Sequence, residues 1–158
     1  MKKVKLFVAA CMLLVSASSF AQQGKATLGI HGNALLEDPF NLGIGANVGY
    51  EVINNLRGVA EFNYAFKKDG ESQWNVLVNA EYLFRIPNSR FTLYPLVGVD
   101  LFGWKADGFG SDSKLGFDFG AGVEYALTDN LSLKAEYNDH TVDHGHWHML
   151  KLGVVIPF

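Results

Sequence analysis

From Lys25 to the end of the chain, hydrophobic and polar residues alternate with a period of two, the period of a β-strand. The alternation divides into eight segments, near 25–35, 41–52, 56–66, 73–84, 91–103, 114–127, 131–139 and 147–158. Each is close to the roughly 9–11 residues that a tilted strand needs to cross a bilayer. One face of these segments is apolar. The second carries Leu42, Ile44, Ala46, Val48, Tyr50 and Val52 on it, and the fourth carries Trp74, Val76, Val78, Ala80, Tyr82 and Phe84. The sixth adds Leu115, Phe117, Phe119, Ala121, Val123, Tyr125 and Leu127, and the eighth Leu150, Leu152, Val154, Ile156 and Phe158.

The opposite face holds the charge: Glu51, Arg57, Glu61, Glu81, Asp100, Asp118, Glu124, Lys134, Glu136 and Lys151. Asn47, Asn63, Asn75 and Asn79 share it with Gly43, Gly45, Gly116, Gly120 and Gly122. Two architectures produce such alternation. A soluble barrel or sandwich hides its apolar face and shows its charges to water, whereas a membrane barrel turns the apolar face to lipid and the polar face inward. The unbroken apolar face favours the membrane form. So do its aromatic residues, which gather toward segment ends (Tyr50, Tyr64, Phe66, Trp74, Tyr82, Phe84, Phe91, Tyr125) where interfacial girdles belong.

The connections alternate in length. Ile53–Asn55, Arg85–Arg90 and Thr128–Asn130 are short, whereas Leu36–Phe40, Lys67–Ser72, Trp104–Ser113 and His140–His146 are longer on the whole. This is the pattern of short periplasmic turns and longer outer loops, with both termini periplasmic. The expected fold is all-β: an eight-stranded, antiparallel, up-and-down transmembrane β-barrel.

The N-terminus predicts export. Lys2, Lys3 and Lys5 precede the apolar stretch Leu6–Val15, and Ser19-Phe20-Ala21 presents small residues at the two positions a signal peptidase reads. Residues 1–21 are therefore expected to be a cleaved signal peptide and 22–158 the barrel domain. Val8-Ala9-Ala10-Cys11 has the look of a lipoprotein box, but cleavage there would cut the apolar stretch in half. Losing 1–21 removes three lysines, so Lys and Arg fall from 13 to 10 against 16 Asp and Glu, a net charge of −6. It also removes the only cysteine, which leaves no disulfide and no thiol ligand. The acidic balance argues against nucleic acid as a partner. Although 49% of residues are hydrophobic, no run after Gly24 approaches the roughly 20 residues of a transmembrane helix.

Gly120-Ala121-Gly122-Val123-Glu124-Tyr125 followed by Asp129-Asn130-Leu131-Ser132-Leu133-Lys134-Ala135-Glu136-Tyr137 looks like a strand–turn–strand unit of the OmpA/OmpX-like small outer-membrane β-barrels. Tyr94-Pro95-Leu96-Val97-Gly98-Val99 resembles another strand of that family, and the likeness runs over the whole mature chain. Phe158, with Ile156, Val154, Leu152 and Leu150 alternating before it, resembles the signal by which the barrel-assembly machinery recognises its clients. The resemblance implies an outer-membrane location in a Gram-negative-type bacterium, with outer-membrane lipid and that machinery as partners. It identifies architecture better than function.

Two constellations could carry chemistry. The inward charges would not face a low-dielectric lumen unpaired, so the expectation is a network of ion pairs filling a narrow barrel. Arg57, Lys134 and Lys151 are the natural partners of Glu61, Glu124 and Glu136, and a narrow ion path is the alternative. The second is the last outer connection, where His140, His144, His146 and His148 stand beside Asp139 and Asp143. Imidazole and carboxylate suit zinc, copper or nickel, and residues two apart share one side of a strand, so these four histidines form a candidate metal set. The spacing matches no standard site, and a solvated loop tip is the competing reading.

Catalysis has no visible machinery. No histidine is followed two residues later by serine, as in the lipid A deacylases, and Gln22–Gly24 leaves no room for the helix that precedes the palmitoyltransferase barrels. No enzyme activity and no cofactor are expected. The expected function is a structural or surface-interaction role through the outer loops. The alternatives are a narrow ion or small-solute transport element and, more remotely, a lipid-modifying enzyme.

Overall fold

The computed structural model describes residues 26–37, 40–68, 71–106, 110–142 and 145–158. The expected signal peptide and its cleavage site lie outside the described residues, as does His144. Nine strand segments follow in order: β1 (Ala26–Leu35), β2 (Asn41–Ile53), β3 (Leu56–Lys68), β4 (Glu71–Tyr82), β5 (Phe84–Arg85), β6 (Phe91–Ala106), β7 (Gly110–Thr128), β8 (Leu131–Val142) and β9 (Gly145–Pro157). Both β4 and β5 pair with β6, so they form one stave interrupted at Leu83. There the Leu83 amide donates to the Asn55 carbonyl at 2.7 Å instead.

The eight staves form an antiparallel meander that closes on itself. β1 pairs with β9 from Thr27 opposite Pro157 to Leu35 opposite Met149, and the Phe158 amide donates to the Ala26 carbonyl at 2.9 Å. Closure leaves no edge to be satisfied, the condition for a sheet in hydrocarbon. At the end that carries Ala26 and Phe158 (the inner end), Asn55 and Asn88 take the positive φ angles of 69° and 57° that tight turns need and that asparagine tolerates. Register shifts beside two turns, between Glu51 and Ile53 and between Ala126 and Thr128, are β-bulges, which cluster at barrel rims.

Burial is inverted relative to a soluble protein. Ile30, Leu115, Phe117, Val97 and Leu152 are each at least 60% exposed, whereas Asp100, Asp118, Asn138 and His140 are fully buried. The apolar face therefore points to lipid and the charged face into the lumen, as the alternation predicts. Aromatic pairs band the outside: Tyr82–Phe84 and Phe91–Tyr125 near the inner end, Tyr64–Phe66 toward the outer end. Trp74 lies over Gly103 on the neighbouring stave, where a Cβ would come within 2.3 Å of the indole.

The outer connections correct the sequence reading. The ladder continues through Lys105 opposite Ser111 and Ala106 opposite Gly110, so most of the expected loop Trp104–Ser113 is strand. Lys68 likewise pairs with Glu71, and Val142 with Gly145. Among the outer connections only that between Leu35 and Asn41 keeps its expected length. Hydrophobic alternation marks only the part of a strand that meets lipid. Beyond the bilayer the backbone pairs just as well with either face in water, so the ladder outruns the pattern.

Candidate functional site: the lumen

Inward side chains fill the barrel in layers. Nearest the inner end, Arg57 on β3 is held by Glu81 on β4, with Nε donating to Oε2 at 2.7 Å, and by Glu124 on β7. Glu81 also receives Lys134 of β8 at 3.1 Å. Lys134 reaches Glu136 at 2.9 Å, Glu136 receives Lys151 of β9 at 3.0 Å, and Lys151 closes onto Glu61 of β3. The chain of charges thus crosses the lumen through five staves, three bases held between four acids, with a carboxylate at each end and every charge in contact with an opposite one. Arg57, Glu61, Glu81, Lys134, Glu136 and Lys151 are all buried, so each charge depends on its partners. The sequence placed all of these residues on the inward face and named Glu61, Glu124 and Glu136 as partners of the bases; that Glu81 is the hub shared by Arg57 and Lys134 is what spacing alone does not reveal.

Tyr94 on β6 completes this layer. It is buried, its hydroxyl donates to Glu136 at 2.9 Å, and its ring lies 5.6 Å from the Arg57 guanidinium and 5.1 Å from the Lys134 ammonium. Aromatic rings attract such cations. Gly122 opposite it makes the room, because a Cβ there would sit 2.2 Å from the tyrosine oxygen. Alternation places Tyr94 on the inward face, but its apolar ring gives no sign of a role among charges.

An amide layer follows. Asn63 Oδ1 receives His31 Nε2 at 2.6 Å and Asn33 Nδ2 at 3.0 Å, while Asn63 Nδ2 donates to Glu61 at 2.7 Å. Asn47 donates to His31 Nδ1 at 3.4 Å, a bond consistent with a proton on Nε2.

The outer half differs. Asp100 on β6 and Asp118 on β7 both approach Nδ1 of His140 on β8, at 3.0 and 3.4 Å. Asn79 and Asn138 donate to Asp118 at 2.6 and 2.9 Å. Trp147 stacks on His140 with centroids 5.3 Å apart, and Phe102 lies tilted against Trp147 at 4.5 Å, so aromatic rings cap the lumen toward the outside. Leu35, Ala65 and Met149 pack together in the same part of the barrel.

The structure divides the candidate metal histidines. His140 points into the lumen, while His146 and His148 point outward on β9, where His146 lies 3.3 Å and His148 3.9 Å from Asp139. His148 also stacks against Tyr137 and shares a 2.8 Å hydrogen bond with its hydroxyl. The barrel wall separates the two groups because neighbouring positions on a strand face opposite sides. Among the described residues, no group of three or more His, Cys, Asp or Glu side chains is arranged to hold a metal ion.

A closed barrel with an apolar outside, aromatic bands and a charged, filled lumen is a membrane-spanning protein of the outer-membrane type. In agreement, residues 7–158 match the outer membrane protein β-barrel domain, and the chain belongs to that family. The fold is similar to the N-terminal β-barrel domain of OprF from Pseudomonas aeruginosa, with a TM-score of 0.74 at 19% identity, covering 86% of this chain and 98% of that one. It is also similar to Neisserial surface protein A (TM-score 0.68, 21% identity, covering 84% and 96%) and to Ail, the attachment invasion locus protein of Yersinia pestis (0.60, 22%, 87% and 100%). At these identities the likeness is one of fold. No curated protein sequence matches the chain.

Proposed function

We propose that this protein is a closed, non-catalytic barrel of a Gram-negative-type outer membrane that acts through its outer rim and not through its lumen. The observation that supports this reading is the unbroken chain of ion pairs from Glu124 through Arg57, Glu81, Lys134, Glu136 and Lys151 to Glu61, which occupies the path a solute would take. The names of two structural relatives, a surface protein and an attachment protein, are consistent with such a role. On this reading the chain is exported by a signal peptide cleaved after Ala21, and the barrel-assembly machinery receives it through the β9 terminus. A transport role would require the Arg57–Glu81–Lys134 layer to part.

The test uses three strains: wild type, deletion, and one in which the four outer connections are replaced by Gly-Ser linkers. Adhesion and envelope integrity are measured in parallel with planar-bilayer recordings of the purified protein. If the outer rim carries the function, the linker strain matches the deletion and wild-type protein shows no stable channel. A linker strain that behaves as wild type makes the role purely structural, and steady currents overturn the closed-barrel reading.

A further inference from the structure

The two halves of the lumen differ in how completely their polar atoms are partnered. In the inner half every buried charge has a partner. In the outer half, six buried side-chain oxygens make no hydrogen bond among the described residues: Oδ1 of Asn33, Asn75, Asn79 and Asn138, and both oxygens of Asp100, whose Oδ2 has only the 3.0 Å contact with His140 Nδ1; fewer nitrogens are left over, those of His140 with Asn75 Nδ2 and Trp147 Nε1. Such orphans are rare in folded proteins and call for a specific partner.

Asparagine oxygens and nitrogens can be interchanged, but here the neighbours fix most of them. Asn79 and Asn138 each turn their amide nitrogen to Asp118, and Asn33 turns its own to Asn63. Their oxygens must then face elsewhere in the lumen. Asn75 is only 2% exposed and neither of its amide atoms has a partner. It lies on β4 diagonally across from Asp100 on β6, since Asn75 pairs with Phe102 and Leu77 with Asp100. Both point inward, into the same layer.

Charge points the same way. Asp100 and Asp118 are fully buried, and among the described residues His140 is the only basic side chain within ion-pair distance of either. With both carboxyls ionised, an imidazolium there still leaves one negative charge beneath the Phe102–Trp147 pair, and burying an uncompensated charge is very costly. Water could satisfy the oxygens but would leave that charge standing.

We infer that the outer half of the lumen binds one hard, oxygen-preferring cation of the Ca²⁺ class, with Asp100 and the carbonyl oxygens of Asn75 and Asn138 as ligands and Asp118 supplying charge. Carboxylate and amide oxygens are the donors such ions take, in flexible geometry. This donor set differs in place and in chemistry from the histidine-rich outer connection, which would suit a transition metal. The inference does not depend on the proposed role of the outer rim.

The test uses the refolded barrel in a zwitterionic detergent, stripped with a chelator and dialysed. Terbium(III), a luminescent stand-in for Ca²⁺, is added and excited through tryptophan, since Trp147 stacks on the imidazole that touches Asp100. The expected result is sensitised emission that Ca²⁺ displaces, an affinity for Ca²⁺ by calorimetry that falls at least tenfold in Asp100→Asn, and little change in Asp139→Asn at the outer rim. The heat-dependent gel shift checks that each variant is folded. Asp100→Asn removes a buried charge without changing shape and should fold; Asn75→Leu provides a second, neutral probe with the same expected loss. Absence of Ca²⁺-displaceable emission and of calorimetric heat in the folded wild type would overturn the inference and leave only water in this layer. Binding kept in both Asp100→Asn and Asn75→Leu but lost in Asp139→Asn would overturn it too, placing the ion on the outside.

Discussion

Glu81 shows how much one lumenal residue can hold. It is 1% exposed and accepts from both Arg57 and Lys134, so neutralising it leaves two buried cations short of a partner. Removing one member of a buried pair costs about 3–5 kcal/mol. Glu81→Gln is therefore expected to lose about that much, measured by urea titration of the folded band in liposomes. Arg85 provides the contrast. It pairs with Glu51 at 2.7 Å, but its side chain is half exposed, and exposed pairs contribute roughly 0–1 kcal/mol; Arg85→Ala should stay within that range. Equal costs for the two would mean that the lumen is wet enough to screen its charges. Space matters at the same scale. A Cβ on Gly98 would lie 2.1 Å from the Val78 carbonyl oxygen and 2.0 Å from Asn79 Oδ1. Gly98→Ala must displace backbone, and a loss of about 1–3 kcal/mol is expected in the same titration. Tyr94 and Gly122 form a similar complementary pair, legible in the sequence only as two inward positions.

At the scale of the strand, each stave is a two-sided object with lipid on one side and a packed lumen on the other. Val123 on β7 lies on the lipid side, between Phe119 and Leu127. Arginine in its place should destabilise the barrel by roughly 2–4 kcal/mol if the site is near mid-bilayer, whereas Val123→Ile should be close to neutral. If the two variants fold equally well, Val123 does not face hydrocarbon. The terminal strand separates stability from assembly. Phe158 is 60% exposed on the protein surface, and its amide donates to the Ala26 carbonyl, a bond that truncating the side chain leaves in place. Phe158→Ala should therefore fold nearly as well as wild type in detergent or liposomes. If the terminal residue is read by the assembly machinery, the variant should be depleted from the outer membrane of cells and degraded in the periplasm, as quantified by fractionation. Collapse of folding in vitro with normal assembly in cells would reverse that assignment.

For the whole molecule, the central question is whether the filled lumen is a seal. The ion-pair layer is continuous from β7 to β3, and the aromatic cap formed by Phe102 and Trp147 closes the outer end. Arg57→Ala combined with Glu81→Ala removes both partners of one bridge from the inner layer together, so neither is left unpaired by the loss of the other. Brief openings of small conductance are expected for this variant in planar bilayers, against none of stable amplitude for wild type. If the double variant stays as silent as wild type, the seal lies in the outer half.

Alternation by itself determined the architecture, because the solvents on the two sides of a barrel wall differ so sharply that every second residue must declare its side. It identified the lumenal residues Arg57, Glu61, Glu124, Lys134, Glu136 and Lys151 for the same reason. It could not show that Glu81 is shared by two bases, that Tyr94 lies between two cations, or that Asp100 and Asp118 meet His140, because those contacts join staves far apart in sequence and depend on register and closure. The strand ends in water were misjudged because no apolar face marks them. The histidines could not be sorted from sequence either: His140 is close along the chain to His146 and His148 but lies on the opposite side of the wall, and only the tertiary structure decides which side each of the three takes.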